Sequence, residues 1–175
     1  KKNIKIIEDS AETLGAKINN KFTGTFGIDC FSFFPTKNIT TTEGGMLTTN
    51  DKRVYNYVRK LIAHGIDKDI KKKFWHRVAV LPGHNFRMPN HLAAIGYSQL
   101  KRIEKFNQAR NKIAELYNSE LSKHFNKIKT PLKPKGYTHS YQMYTITVES
   151  KIRNKLLHFL KENNIEASAH FDPPL

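Results

Sequence analysis
From Asn90 onward, Leu92, Ile95, Leu100, Ile103, Phe106, Ile113, Leu116 and Leu121 recur at helical spacing. The stretch is far longer than the mean helix of about 11–12 residues, so it predicts one bent helix or two in tandem. Upstream the apolar runs are short and end in acids, glycine or proline. Ile4 to Asp9 reads as a buried strand that delivers Asp9 to its carboxyl end, the edge at which α/β sheets bind ligands. Phe31 to Phe34, stopped by Pro35, and Gly45 to Thr49 read as two further strands, which leaves Lys37 in the loop between them.

Other signals fill in the organisation. Asp9 or Ser10 can cap a short helical turn through Leu14 that Gly15 closes. Lys17 to Phe22, with Asn19-Asn20 at its centre, predicts a hairpin, because asparagine tolerates the positive φ of a tight turn. Gly24 and Gly27 punctuate its exit. Val54, Tyr55, Val58, Leu61 and Ile62 predict a helix with Gly65 as its stop, followed by a basic loop from Lys68 to Lys73. Pro131, Pro134 and Gly136 mark a linker. Beyond it, Tyr141 to Val148 reads as a strand, Ile152 to Leu160 as an amphipathic helix and Ile165 to Phe171 as a last strand, so the tail from about Lys127 is expected to be a small β-α-β lobe.

Composition limits the partners and the setting. The chain has 175 residues, enough for a real core, with 38% hydrophobic and 26% charged residues. No apolar run approaches the roughly 20 residues that span a bilayer. One cysteine, Cys30, cannot form an internal disulfide and no signal segment opens the chain, so a reducing cytoplasm is expected. Lysine and arginine number 30 against 15 acids, a net charge of +15, which favours phosphate-bearing partners. The chain opens at Lys1 without an initiator methionine and stops at Pro173-Pro174-Leu175; it reads as a piece of a longer protein.

The segment Phe31-Ser32-Phe33-Phe34-Pro35-Thr36-Lys37-Asn38-Ile39-Thr40-Thr41-Thr42-Glu43-Gly44-Gly45 carries the strongest chemical signal. A lysine held between strands, with hydroxyls upstream and glycines downstream, suits an amine that attacks a carbonyl near a phosphate. By composition alone a solvated loop lysine is the commoner outcome. Asp9 could equally be a helix cap, Ser32 a polar residue on a strand face, Asn85 turn chemistry and His170 a structural histidine. No cysteine or histidine cluster has metal spacing, and there is no P-loop. Lys71 to Arg77 mixes cations with aromatics, as a nucleic-acid binder could use, but the charge is spread through the chain.

Three motifs in series, Ile7-Glu8-Asp9-Ser10-Ala11-Glu12-Thr13-Leu14-Gly15-Ala16, Gly24-Thr25-Phe26-Gly27 and the lysine segment through Met46, resemble the DegT/StrS family of pyridoxal-phosphate sugar aminotransferases. His64-Gly65, Gly83 to Met88, Gln99-Leu100, His139 to Tyr144 and His170 to Pro174 resemble it too. The resemblance implies an α/β PLP-transferase of fold type I: residues 1–108 as the second half of the large domain, with its mixed sheet and helices, and 109–175 as a connecting helix and an incomplete C-terminal α+β small domain. It matches Lys37 to the Schiff-base lysine that also shuttles the proton, Asp9 to the acid on the pyridine nitrogen, and Ser32 to the phosphate ligand. Asn85 matches an asparagine that reaches the neighbouring subunit's phosphate, which implies a homodimer. Glu12 stands where relatives often carry histidine or glutamine, near the cofactor ring, and His170 could face substrate. Thr42 replaces a glycine that is usual in the family. The implied reaction moves an amino group, from glutamate, to the keto-sugar of a nucleoside diphosphate sugar for polysaccharide, glycan or amino-sugar biosynthesis. The alternatives are a non-catalytic or regulatory fragment of the PLP fold and a basic nucleic-acid-binding module.

Overall fold
The structure is a computed structural model that describes residues 4–68, 70 and 75–173. It divides into two compact units, Lys1–Ile113 with Lys133–Gln142, and Ala114–Leu132 with Met143–Leu175.

The first unit is built on a sheet of β1 (Ile7–Asp9), β4 (Ile28–Ser32) and β5 (Gly45–Thr49), in the order β1-β4-β5. β1 runs parallel to β4, with Asp9 opposite Cys30, and β5 returns antiparallel, with Gly45 opposite Ser32. Ser10 N donates to Cys30 O at 3.0 Å and extends the parallel ladder by one bond. Asp9 and Ser32 therefore leave the sheet at the same edge. β1 forms where the sequence predicts a strand, but it is not buried: Ile7 is 73% exposed. It is the outer strand of the sheet, so it has one strand neighbour. The fourth strand starts at Ile28 and ends at Ser32, earlier than the predicted Phe31–Phe34 run, because the chain turns into the lysine loop before Pro35.

Between β1 and β4 lies the predicted hairpin, β2 (Lys17–Ile18) and β3 (Lys21–Phe22). Asn19 and Asn20 both take positive φ, 48° and 65°, the turn geometry whose twist matches the strands. β8 (Tyr137–Thr138) adds to β2 as a third strand, a long-range pairing that local pattern does not announce. α1 (Lys52–Leu61) starts where the Asp51 side chain accepts from Arg53 N, and Arg59 and Lys60 fill its last turn, matching the negative end of the helix dipole. A short antiparallel pair, β6 (Ile66–Asp67) and β7 (Val78–Ala79), follows; residues 71–74 of the basic segment lie outside the described residues. The long helical period resolves into two helices in tandem, α2 (Asn90–Leu100) and α3 (Ile103–His124).

In the second unit the expected β-α-β lobe is reduced to its helix. α4 (Ser150–Glu162) forms as predicted. The predicted strand at Tyr141 to Val148 contributes one isolated bridge, Thr147 to Lys129, and the predicted strand Ile165 to Phe171 is absent among the described residues. A strand needs a hydrogen-bonded neighbour, and 165–171 has none here. What does hold the unit is side-chain chemistry on α3: Tyr144 Oη donates to Asn118 Oδ1 at 2.5 Å, and its ring sits 5.0 Å from that of Tyr117.

The residues buried below one-tenth exposure include as many polar as apolar side chains. Phe33, Ile39 and Tyr141 sit beside Ser10, Asp29, Thr41, Asn107 and Ser140 in the first unit. Asp29 is fully buried in β4, and neither carboxylate oxygen makes a well-formed hydrogen bond among the described residues. Burial pushes its carboxyl above the ordinary 3.8, the nearby Ser10 hydroxyl opposes the shift, and the charge of Glu8 adds to it. The folded form then binds this proton more tightly than the unfolded chain, so stability falls as pH rises through the window between the ordinary and the raised value. Asp29→Asn is expected to abolish that fall and to raise the melting temperature at pH 7, by about 2–4 °C for each kcal/mol recovered. Thermal melts of the complete chain from about pH 4 to pH 8 check it.

Candidate active site
The loop from β4 to β5 closes on itself before it presents Lys37. Phe33 N donates to Gly44 O at 2.9 Å, while Phe33 O accepts from Thr41 N at 3.0 Å and Thr40 Oγ1 at 2.9 Å. Ile39 and Thr41, 3% and 1% exposed, point inward as plugs. A single side chain of α2 grips the loop from outside. Gln99 Oε1 accepts from Thr40 N at 3.2 Å and Gln99 Nε2 donates to Thr40 O at 2.7 Å, so the amide pairs with both polar groups of one residue. The approach of α2 depends on Gly96, where an added Cβ would lie 2.7 Å from Thr41 Cγ2.

So anchored, Lys37 is mostly buried, its side chain 16% exposed, and Nζ donates to Glu12 Oε1 at 2.9 Å. Glu12 comes from the turn after β1, where Thr13 N donates to Ser10 O. Asp9, at the carboxyl end of β1, is exposed; its Oδ1 accepts from Ala11 N at 3.1 Å. Ser32, at the end of β4, accepts a long 3.4 Å contact from Phe34 N. Four of the sequence-predicted site residues thus belong to one sheet edge and its loops: Asp9, Glu12, Ser32 and Lys37. Asn85 makes no contact with them. It forms a bridge with Ala63, and its Oδ1 accepts from Arg87 Nε at 3.3 Å. His170 belongs to the second unit, exposed, with its ring 4.1 Å from that of Phe171. Among the described residues no group of three or more histidine, cysteine, aspartate or glutamate side chains could hold a metal ion.

Sequence reasoning passed over Glu8. Its Oε1 accepts from Phe26 N at 2.7 Å and Gly27 N at 2.9 Å, and its Oε2 from Gly24 N at 3.0 Å. Three backbone amides thus solvate one carboxylate, so Gly24-Thr25-Phe26-Gly27 serves as a cradle. Gly24 takes φ +90°, and a Cβ there would fall 2.4 Å from Asp29 Oδ2. The available signal was the spacing of Gly24 and Gly27 opposite an acid at a strand end.

The family model of the DegT/DnrJ/EryC1/StrS aminotransferases matches residues 1–175. The chain belongs to that family. It is 37% identical over 172 residues to a GDP-perosamine synthase of Vibrio cholerae, covering 96% of this chain and 45% of the relative. It is 30% identical over 176 residues to the UDP-4-amino-4,6-dideoxy-N-acetyl-beta-L-altrosamine transaminase of Campylobacter jejuni, covering 99% and 46%. Among solved structures, Spr1654 of Streptococcus pneumoniae, described as a candidate sugar aminotransferase and solved in a PLP-form, superposes with a TM-score of 0.86 at 28% identity, over 97% of this chain and 44% of that one. The chain therefore has the α/β fold of the fold-type-I aminotransferases and spans about half the length of the curated relatives it matches.

In this chain the loop beside Lys37 has one strained residue. Thr42 takes φ +66°, a conformation that costs an L side chain roughly 1–2 kcal/mol and suits glycine. Its Oγ1 donates to Thr41 O at 2.5 Å in partial compensation. Thr42→Gly is expected to stabilise the complete chain by about 0.5–1 kcal/mol once the extra unfolded-state freedom of glycine is subtracted. Gln99→Leu, which leaves Thr40 N and O without their partner, is expected to cost about 1–3 kcal/mol. Urea denaturation of both variants checks the two signs.

Proposed function
We propose that the complete protein is a pyridoxal-phosphate-dependent aminotransferase that moves an amino group, with glutamate as donor, to the keto-sugar of a nucleoside diphosphate sugar. The observation that carries this reading is Lys37, a mostly buried amine on the loop at the sheet edge that also receives Asp9 and Ser32, in a chain of an aminotransferase family. The GDP- and UDP-linked names of two relatives support the substrate class, and the PLP-form of a structural neighbour supports the cofactor. The net charge of +15 suits a diphosphate-bearing substrate. Among the described residues no helix is long and apolar enough to cross a membrane; cytoplasmic synthesis of amino sugars for polysaccharide or glycan fits this reading.

The donor set suits the cofactor. Asp9 Oδ1 is taken by Ala11 N, and Oδ2 has no hydrogen bond among the described residues, which leaves a carboxylate oxygen for a protonated ring nitrogen. Ser32 Oγ only accepts, at 3.4 Å, and keeps its own proton to donate to a phosphate oxygen. Bound pyridoxal phosphate supplies an electron sink for the pair released when a substrate amine loses its α-proton. Lys37 Nζ would be the amine that holds the cofactor and would take up and return that proton. Asp9 would hold a proton on the ring nitrogen. Glu12 orients the Lys37 amine. Asn85, which shares no hydrogen bond with these four and whose amide nitrogen has no partner among the described residues, would reach the phosphate of a neighbouring subunit in a homodimer.

Borohydride reduction of the complete chain saturated with pyridoxal phosphate, followed by peptide mass mapping, is expected to place the label on Lys37. In Lys37→Ala the label is expected to vanish while cofactor still binds reversibly, and amino transfer to fall by about 10²–10⁴-fold or more. A label on another lysine, or near-normal turnover of the variant, contradicts the proposal.

A further inference from the structure
Ser140 is 1% exposed and makes two bonds, one to Glu12 of the Lys37–Glu12 pair and one to Asn38, the residue that follows Lys37. Its hydroxyl donates to Glu12 O at 2.7 Å. Its carbonyl accepts from Asn38 Nδ2 at 2.9 Å, and Asn38 is the residue next to Lys37. Asn38 Nδ2 also donates to Asn107 Oδ1 at 2.9 Å, and Asn107 Nδ2 donates to Leu14 O at 3.0 Å, two residues beyond Glu12. The two segments that supply the ion pair are thus tied to each other through two routes, one by way of Ser140 and one by way of Asn107 of α3.

The segment that carries Ser140 is itself held at several points. Gln142 Nε2 donates to Thr36 O at 2.9 Å, on the other side of Lys37 from Asn38. Arg110 Nη1 donates to Tyr141 O at 3.0 Å and Asn111 Nδ2 to His139 O at 2.7 Å. Tyr141 N donates to His139 Nδ1 at 2.8 Å, and burial, with Lys133 nearby, holds His139 below its ordinary value, so that this nitrogen stays an acceptor. Thr36 and Asn38, the residues flanking Lys37, are therefore both fixed by the 139–142 segment.

We propose that Ser140 is a positioning residue that, with Asn38 and Asn107, sets the Lys37 amine against the Glu12 carboxylate. It rests on the reading of Lys37 as the reactive amine, and it touches neither cofactor nor substrate. Its effect is geometric: the hydroxyl fixes the Glu12 backbone, the carbonyl fixes the Asn38 side chain, and the distance between Nζ and Oε1 follows from both. Hydrogen bonds from buried polar networks of this kind couple more strongly than pairwise deletion suggests.

The test is competitive acetylation of the complete, cofactor-free chain with trace acetic anhydride, reading each lysine by peptide mass, so that it does not depend on cofactor binding. Lys37 and Lys60 are both ion-paired, with Glu12 and Asp67, but Lys37 is 16% exposed against 32% for Lys60, so it is expected to react more slowly. Ser140→Ala is expected to raise the Lys37 rate relative to Lys60 at least about threefold. Thr48→Val, which removes a hydroxyl-to-carbonyl bond of the same kind, from Thr48 Oγ1 to Gly24 O, away from the Glu12 turn in the same unit, is expected to leave it unchanged. An unchanged Lys37 rate in Ser140→Ala overturns the proposal, and so does an equal rise in both variants, which would mean general loosening. Borohydride mapping of the same proteins with pyridoxal phosphate reads the role of Lys37 separately, so failure there leaves the acetylation result to stand or fall alone.

Discussion
Parallel pairing of β1 with β4 is the constraint on which the site depends. It brings the carboxyl ends of two strands, Asp9 and Ser32, to one edge, whereas an antiparallel β1 would place Asp9 at the far end of the five-residue β4, about 15 Å away. The return of β5 antiparallel then requires a loop at that same edge, and this loop carries Lys37. Acid, hydroxyl and amine are supplied by topology before any side chain is fixed.

Fixing them is a separate matter, and the chain assigns it to neutral groups. Glu8, one residue before Asp9, is solvated by three backbone amides of the 24–27 loop and not by a lysine. Asp29, its neighbour across the β1–β4 pairing, is buried with neither carboxylate oxygen in a well-formed hydrogen bond among the described residues. The cation of Lys37 is left for Glu12 alone among the described residues. Amide side chains do the rest: Gln99 grips Thr40, Asn38 reaches Ser140 and Asn107, and Gln142 reaches Thr36. Neutral donors and acceptors hold the backbone of the loop without adding a second charge to the Glu12 carboxylate beside the amine.

Much of this was legible locally. Asn19-Asn20 announced the hairpin, the apolar spacing announced α1, α4 and the tandem helices, and glycines with hydroxyls marked the lysine loop. What was hidden has a common cause in partners distant in sequence. β8 joins β2 across more than a hundred residues, Ser140 meets Glu12 over a separation of 128, and donors of the Glu8 cradle are backbone amides with no residue signature. Over-reading had the same origin: Ile165 to Phe171 has strand-like residues but no neighbouring strand among the described residues, and Ile7 is an apolar strand residue that stays 73% exposed. Pattern reports what a segment could pair with, while pairing itself is decided elsewhere in the chain.

The central claim, that the Lys37 loop and the β1 edge form one cofactor site, is tested most directly by a crystal structure of the complete chain grown with pyridoxal phosphate. The account predicts continuous density from Lys37 Nζ to the cofactor, with the Asp9 carboxylate at the ring nitrogen and Ser32 Oγ at the phosphate. Cofactor joined to a different lysine, or bound with its phosphate at Asp9, would contradict it.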